Sequence, residues 1–134
     1  MTRGDVVVAA LPGDASKPRP AVVLRAARFA AHHRVTVLPI TSVLQDAAPL
    51  RVDLTPTPAN GLRAPSQAMI DRIASVAVQR VGQIIGELAA ADLKAIERAV
   101  LVYLGIADTA PRAGPRKKMT AVTQKKVRLR KKAR

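Results

Sequence analysis

Polar residues that could bind an anion lie beside apolar runs at three places in this sequence. Arg19 stands between two prolines just before an apolar run, and Thr41 and Ser42 follow another. An arginine offers a planar fork of donors to anionic oxygens and keeps its charge at every working pH. A hydroxyl can add one more hydrogen bond to the same group. The third place is the segment 65–72, whose polar members are Ser66, Gln67, Asp71 and Arg72.

Several familiar kinds of active site are missing from the sequence. There is no cysteine, which excludes a disulfide scaffold, a thiolate metal site and a cysteine nucleophile. The two histidines, His32 and His33, are adjacent and would point to opposite faces of an extended chain, so we expect an exposed loop pair. No phosphate-binding loop, dinucleotide fingerprint or nucleophile elbow occurs, although a Ser-His-Asp triad stays open. We therefore expect neither a metal nor a cofactor.

The net charge of +14 is unevenly distributed along the chain. Residues 1–107 hold 12 basic and 8 acidic side chains, giving +4, whereas residues 108–134 hold 11 basic and 1 acidic, giving +10. This balance favours a polyanion partner, because Lys and Arg contacts to phosphate release counterions. A solvated tail that only aids solubility is the alternative. With one Phe and one Tyr, the composition argues against an aromatic base-stacking platform.

The apolar pattern predicts five to seven short strands followed by one helix. Strand-like runs bounded by Gly, Pro or Asn cover residues 6–11, 20–25, 34–38, 50–54, 66–70, 73–78 and 82–88. Pro39 is expected to end the third run. Leu93, Ile96 and Val100 recur at helical spacing and, with Tyr103 and Leu104, predict one buried face of a helix over 90–104, capped by Gly105. The pattern indicates a small, strongly curved antiparallel barrel or half-barrel with the helix packed across it.

A single domain is expected over residues 1–107. The basic tail over 108–134 has too little apolar surface to fold alone. No apolar stretch approaches the roughly 18 residues of a membrane span, and the N-terminus lacks the apolar core of a signal peptide. The expected location is the cytoplasm, with no membrane partner.

Five short segments follow one another in a recognisable order over residues 2–107. They are Arg3-Gly4-Asp5-Val6-Val7, Arg19-Pro20-Ala21-Val22-Val23, Pro39-Ile40-Thr41-Ser42, Pro65-Ser66-Gln67-Ala68-Met69-Ile70-Asp71 and Val81-Gly82-Gln83-Ile84. This order resembles the MazF/PemK toxins of type II toxin–antitoxin pairs. The resemblance implies a CcdB/MazF-type, SH3-like curved barrel with a C-terminal helix. It also implies a homodimeric, metal-independent endoribonuclease that cuts single-stranded mRNA at short sequences and is silenced by a cognate antitoxin.

The resemblance assigns roles to individual residues. The catalytic arginine of the family falls on Arg19 and its catalytic threonine on Thr41, while Asp71 matches an acidic position that is a candidate general base. The expected RNA contacts are Lys17, Ser42, Ser66, Gln67 and Arg72. The chain departs from the family pattern at Arg72, where Gln is common, and at Ala74-Ser75, where Arg-Thr is common.

Two other functions stay open on the sequence alone. The chain could be a non-catalytic nucleic-acid-binding module whose basic tail does the binding. It could also be a toxin of CcdB type that acts on a protein such as gyrase and leaves RNA intact. Arg19 and Thr41 favour the ribonuclease over both alternatives, since both residues match its pattern.

Overall fold

The structure, a computed structural model, describes residues 1–13 and 17–108, so the tail predicted beyond Asp108 lies outside the described residues. The strands are β1 (Asp5–Ala9), β2 (Arg19–Val23), β3 (Arg34–Thr41), β4 (Arg51–Leu54), β5 (Ser66–Met69), β6 (Ala74–Ala77) and β7 (Val81–Glu87). Single 3-10 turns are η1 (Ala27–Phe29), η2 (Ile70–Arg72) and η3 (Val78–Arg80), and the helix α1 spans Ala90–Tyr103.

The strands form one antiparallel sheet in the order β4-β5-β3-β2-β1-β7, and β6 pairs with β3 off this path. Two bulges in the β1–β7 ladder, between Val6 and Val7 and between Val7 and Ala9, increase the local twist. No pairing joins β4 to β7 in the part of the chain that the structure describes. The predicted mainly β fold with a C-terminal helix is confirmed, in its open, half-barrel form.

Both faces of the central strands are buried. Val6, Val22 and Leu38 belong to a core that includes Ile96 and Ala99 of α1. Their neighbours along the strands point to the opposite face and form a second core, whose buried members are Val7, Ala9, Leu11, Ala21, Val23, Val35, Val37 and Val76. This double burial explains why the central strands read as continuous apolar runs.

Pro39 does not end the third strand, contrary to the sequence prediction. It lies inside β3, which continues to Thr41, and it pairs with Ala21 of β2. On the other edge of β3, β6 pairs with residues 34–37 and β5 with Ile40 and Thr41. Pro39 therefore falls in the gap between these two partners, where a missing N–H costs the ladder least.

The helix matches its predicted position within one residue. Gly105 has φ +78°, and the Ile106 N–H donates to the carbonyl of Leu101 at 2.9 Å, which confirms the predicted left-handed cap. The predicted buried face is wrong in its last turn, because Tyr103 and Leu104 are 46% and 54% exposed. No helix among the described residues is long and apolar enough to cross a membrane.

An arginine ties the helix to the start of the sheet. The Arg3 Nη2 lies 2.6 Å from Glu97 Oε2 on α1, and its Nη1 donates to the carbonyl of Leu24 at 2.6 Å. Both charged side chains are more than a third exposed, so the pair itself contributes at most about 1 kcal/mol. The attachment of α1 therefore depends mainly on apolar burial.

Truncation of Ile96 tests that conclusion. Ile96 is fully buried, so Ile96→Ala should lower the free energy of unfolding by about 2–5 kcal/mol through lost burial and a residual cavity. The measurement is urea denaturation followed by circular dichroism. Ile106→Ala is the matched control, because Ile106 is 71% exposed and its truncation should cost less than about 0.5 kcal/mol. Equal losses in both variants would contradict the packing described here.

Candidate functional site

Arg19 and Thr41 lie at the same end of two paired strands. Arg19 is the first residue of β2 and Thr41 is the last residue of β3. The antiparallel register places Ala21 opposite Pro39, and its continuation by two residues places Arg19 opposite Thr41. The sheet therefore brings together two residues that are far apart in the sequence.

Both side chains line one open groove of about 690 Å³, which we call the main groove. Its floor is formed by residues of β1, β2 and β3, including Val8, Pro20 and Ile40. One wall is the segment 61–64, and Gln83 of β7 completes that side. Ser42 and Ser66 also line the groove, so four of the sequence-predicted residues meet there.

The hydroxyl of Thr41 is held by the chain that follows it. The N–H of Val43 donates to Thr41 Oγ1 at 3.0 Å, which makes a local turn around the side chain. The oxygen accepts this bond, which leaves its own O–H available to donate. Thr41 is half-buried at the edge of the main groove. It is therefore suited to donate a hydrogen bond to an anionic oxygen held by Arg19.

Gln67 holds the segment behind Thr41 instead of lining the groove. Its Oε1 accepts from the N–H of Gln45 at 3.0 Å and from Arg51 Nη1 at 2.9 Å. Its Nε2 donates to the carbonyl of Gln45 at 3.0 Å and to Asp53 Oδ1 at 2.8 Å. With only 6% of its surface exposed and its amide engaged, Gln67 is placed to position this segment, which departs from the predicted RNA contact.

A buried asparagine shapes the wall of the main groove. Asn60 is 1% exposed, and its Oδ1 accepts from the N–H groups of Thr57 and Leu62, both at 3.0 Å. Its Nδ2 donates to the carbonyl of Thr55 at 2.9 Å. These bonds fold residues 55–62 into a compact turn directly before Arg63. Pro56, Pro58, Asn60 and Gly61 are typical turn residues, but their pattern does not indicate that Asn60 is buried.

The turn presses directly against β7, and glycine makes the contact possible on both sides. Gly61 has φ +72°, and a side chain there would collide with the carbonyl of Ile85. A Cβ on Gly86 would lie 2.6 Å from the carbonyl oxygen of Asn60. The N–H of Glu87 donates to the carbonyl of Ala59 at 2.9 Å across this contact. The groove wall is thus fixed to the edge of the sheet.

Arg19 also lines a second opening, a smaller side cleft of about 270 Å³. Asp71 and Arg72, both exposed on η2, share that cleft with Arg19, together with Pro39 and Ala74. The structure therefore places Asp71 and Arg72 beside Arg19 but not in the groove that contains Thr41. Lys17 is exposed just before β2 and lines neither opening.

Two groove residues were missed by the sequence reading. Arg63 is exposed and lines the main groove, so the groove contains a second guanidinium in addition to that of Arg19. Gln83 lies on the exposed face of β7 and offers an amide to the same space. The position of Arg63 directly after the Asn60–Gly61 turn was the only available signal, and it indicates a loop tip without indicating what the loop faces.

Substitution of Gly86 tests the contact between the turn and β7. Gly86→Ala should lower the free energy of unfolding by about 1–3 kcal/mol, because backbone atoms of residues 59 and 60 must move away from the new methyl group. Gly82→Ala is the control on the same strand, since its Cβ would meet only the Val8 carbonyl at 3.3 Å. Urea denaturation of both variants compares them, and a tolerated Gly86→Ala would count against a fixed wall.

Known proteins share this fold and sequence pattern. A family model for the PemK-like, MazF-like toxin of type II toxin–antitoxin systems matches residues 2–104. The probable endoribonuclease MazF of Mycolicibacterium smegmatis is 43% identical over 108 residues, which covers 80% of this chain and 99% of that protein. The endoribonuclease MazF9 of Mycobacterium tuberculosis is 31% identical over 99 residues, covering 69% and 83%.

Solved structures agree with the sequence matches. The Mycobacterium tuberculosis toxin MazF-mt6 aligns with a TM-score of 0.65 and 28% identity, over 75% of this chain and 96% of its own. A mycobacterial endoribonuclease solved with its cognate antitoxin aligns with a TM-score of 0.68 over 80% and 97%, and at 20% identity it supports the fold alone. The family model covers most of the chain and two relatives are more than 30% identical to it, so this chain belongs to the PemK-like, MazF-like toxin family of type II toxin–antitoxin systems.

Proposed function

We propose that this chain is a toxin that cuts single-stranded RNA at a short sequence, in the main groove, without a metal ion. The observation that carries the proposal is the register of β2 and β3, which brings Arg19 and Thr41 to one groove. The relatives from M. smegmatis and M. tuberculosis, which are named endoribonucleases, support it. The metal-free chemistry and the sequence preference are part of the proposal.

The proposed reaction is an attack by the 2′-hydroxyl of the RNA on its own neighbouring phosphate. The O2′–P bond forms and the P–O5′ bond breaks, which leaves a 2′,3′-cyclic phosphate and a 5′-hydroxyl end. The phosphorane between them carries extra negative charge on its oxygens. Arg19 is placed to stabilise that charge with its planar donors, and the Thr41 hydroxyl adds one hydrogen bond.

Two protons must move in this reaction. The attacking 2′-hydroxyl loses one, and the departing O5′ gains one. Asp71 is the candidate acceptor for the first. It lines the side cleft and not the main groove, so this role requires the 2′-hydroxyl to lie where the two openings meet at Arg19. Arginine remains charged at working pH, so its role is electrostatic and solvent supplies the second proton. Ser42, Arg63 and Arg72 would position the strand through phosphate contacts. The Ser66 hydroxyl donates to the carbonyl of Ala64 at 2.8 Å and the residue is buried, so Ser66 is placed to hold the groove wall and not to contact RNA as the sequence predicted.

The antitoxin and a second copy of the chain are the proposed protein partners, and the cytoplasm, where mRNA is found, is the proposed location. A groove of about 680 Å³ between α1 and residues 48–52 is largely apolar and is bordered by Arg51 and Arg98. That combination suits an acidic antitoxin segment with apolar side chains, which would order as it binds. Leu104 and Ile106, just after the end of α1, remain 54% and 71% exposed, which favours self-association of two copies through this end of the helix.

Substitution of Arg19 is the direct test of the proposed function. Purified protein in EDTA should cut a mixed-sequence RNA, and mapping of the new 5′ ends should show one short consensus. Arg19→Ala should reduce the cleavage rate about 100-fold or more, because one preorganised donor to the developing charge is lost. The cleavage rate of Arg19→Lys should lie between those of the parent protein and Arg19→Ala, since lysine keeps the positive charge and loses the planar fork of donors.

Lys94→Ala is the matched control for the loss of one positive charge, because Lys94 is exposed on α1 and lines neither opening. It should cleave at the parent rate. An Arg19→Ala protein that still cuts RNA, or still arrests growth on expression, would contradict the catalytic assignment. RNA that stays intact with the parent protein would favour a toxin acting on a protein.

Removal of residues 108–134 separates the tail from the site. The truncated chain loses a net charge of +10, so its RNA affinity at about 150 mM salt should fall roughly tenfold or more, and its salt dependence should flatten. Cleavage at saturating RNA should persist, because the proposed catalytic residues lie before residue 108. Fluorescence anisotropy measures the first effect and gel-based cleavage the second. A truncated protein with no residual cleavage would show that the tail is more than an accessory.

A further inference from the structure

A second cationic surface lies at the far end of β2 from Arg19. The connection from β2 to β3 brings together Arg25, Arg28, Phe29, His32 and Arg34, which we call the loop patch. With Leu24, Ala26, Thr36 and Ser75, most of these residues line an open groove of about 530 Å³. Neither the main groove nor the side cleft includes any of them.

The arginines of the loop patch are held by groups that leave their charge uncompensated. Arg25 Nη1 donates to the carbonyls of His32 and Arg34, at 3.1 and 3.3 Å. Arg34 donates from Nε to Ser75 Oγ at 2.9 Å and from Nη2 to the carbonyl of Ser75 at 2.7 Å. Within the described residues no carboxylate pairs with these arginines. The sequence agrees, since residues 15–45 contain no Asp or Glu.

The loop also presents an aromatic ring to solvent. The 3-10 turn η1 is closed by bonds from the N–H of Phe29 to Ala26 and from the N–H of Ala30 to Ala27, both at 3.0 Å. It places the Arg28 Cζ 5.0 Å from the centroid of the Phe29 ring. Phe29 remains 51% exposed, although it is the single Phe of the chain and burial would stabilise the fold.

We infer that the loop patch is a second binding element for single-stranded RNA, which takes a base on Phe29 and Arg28 and flanking phosphates on Arg25 and Arg34. The inference rests on the proposed function and extends it to RNA outside the cut site. Unpaired bases stack on aromatic rings and on guanidinium planes, and uncompensated arginines bind phosphate. An acidic peptide would use the charges but not the stacked pair, so RNA fits the surface better.

The distance suits one continuous strand. Arg19 and Leu24 are five residues apart, so the two sites are separated by about 16 Å along β2 at about 3.3 Å per residue. A stacked strand advances about 3.4 Å per nucleotide, so about five nucleotides is the shortest length that spans this distance. Because both faces of β2 are buried, the strand must pass around the body, and an RNA bound in the main groove needs an extension of more than about five nucleotides to reach the loop patch.

The test is RNA binding by the full chain in an Arg19→Ala background, which binds without cutting. The probe is a fluorescein-labelled, mixed-sequence 20-nucleotide RNA, measured by anisotropy at several salt concentrations. Arg28→Ala should raise the Kd about five- to tenfold, because the base loses one member of its stacked pair. It should lower the magnitude of the salt slope by less than about 0.7, because a charge beside the flanking phosphates is lost without the loss of a direct phosphate contact. Phe29→Leu should raise the Kd by a similar factor and leave the slope unchanged, because it removes stacking without removing charge.

Lys94→Ala is the control for charge alone and should change the Kd less than twofold. Melting curves must match across the set, since Arg28 and Phe29 are exposed and their replacement should not unfold the chain. Kd values within twofold of that of the Arg19→Ala background, for both loop variants, would overturn the inference. Loss of binding to an acidic antitoxin peptide with unchanged RNA affinity would also overturn it and identify a protein-docking surface. Because the background does not cut RNA, these outcomes are independent of whether the parent protein cleaves.

Discussion

The pairing of β2 with β3 controls both the core and the site. Val22 opposite Leu38 faces the helix, while Ala21 and Val23 face the second core. A shift of one residue would reverse every one of these side chains, and each buried Val or Leu contributes about 1.5–3 kcal/mol. The register that places Arg19 opposite Thr41 is therefore enforced by burial on both faces, and the site needs no stabilising bond between its own two residues.

A second constraint fixes the wall of the main groove that residues 61–64 form. The turn around Asn60 contacts β7 so closely that glycine is required at positions 61 and 86. Its polar groups are bonded internally, through Thr57, Leu62 and Thr55. A groove with a paired sheet as its floor and a hydrogen-bonded turn as its wall has little freedom to change its shape. Such rigidity suits catalysis that depends on preorganised donors.

The sequence predicted the parts of this structure that follow from local pattern. All seven strand-like runs are strands, and the helix ends at its predicted glycine. Prediction from the sequence failed where the position of a residue depends on neighbours that are distant along the chain. Pro39 is tolerated in β3 because two different strands share one edge of it. Tyr103 is 46% exposed although its spacing places it on the apolar face of the helix. The spacing of apolar residues contains neither fact.

The site shows the same division. Arg19, Thr41, Ser42 and Ser66 could be named because they belong to short segments of the family pattern, and the sheet brings them together. Gln67 belongs to such a segment too, yet its amide donates to the carbonyl of Gln45 and to the carboxylate of Asp53, on neighbouring segments of the same chain. A segment pattern identifies which residues matter without distinguishing a groove residue from one that holds the groove in place. That distinction required the hydrogen-bond partners.

Arginines in this chain act in two physically different ways. Arg3 pairs with Glu97 and joins the helix to the sheet, so its charge is cancelled locally. Arg25 and Arg34 are held by backbone carbonyls and a serine, which orient the guanidinium without cancelling it. At physiological salt a charge acts strongly only within about 8 Å. Under the proposed function, the charges of residues 108–134 would aid the capture of RNA without adding to the field at the reacting phosphate, unless they contact that phosphate directly. The field at the phosphate must come from the arginines that line the main groove, and the small net charge of the body does not weaken it.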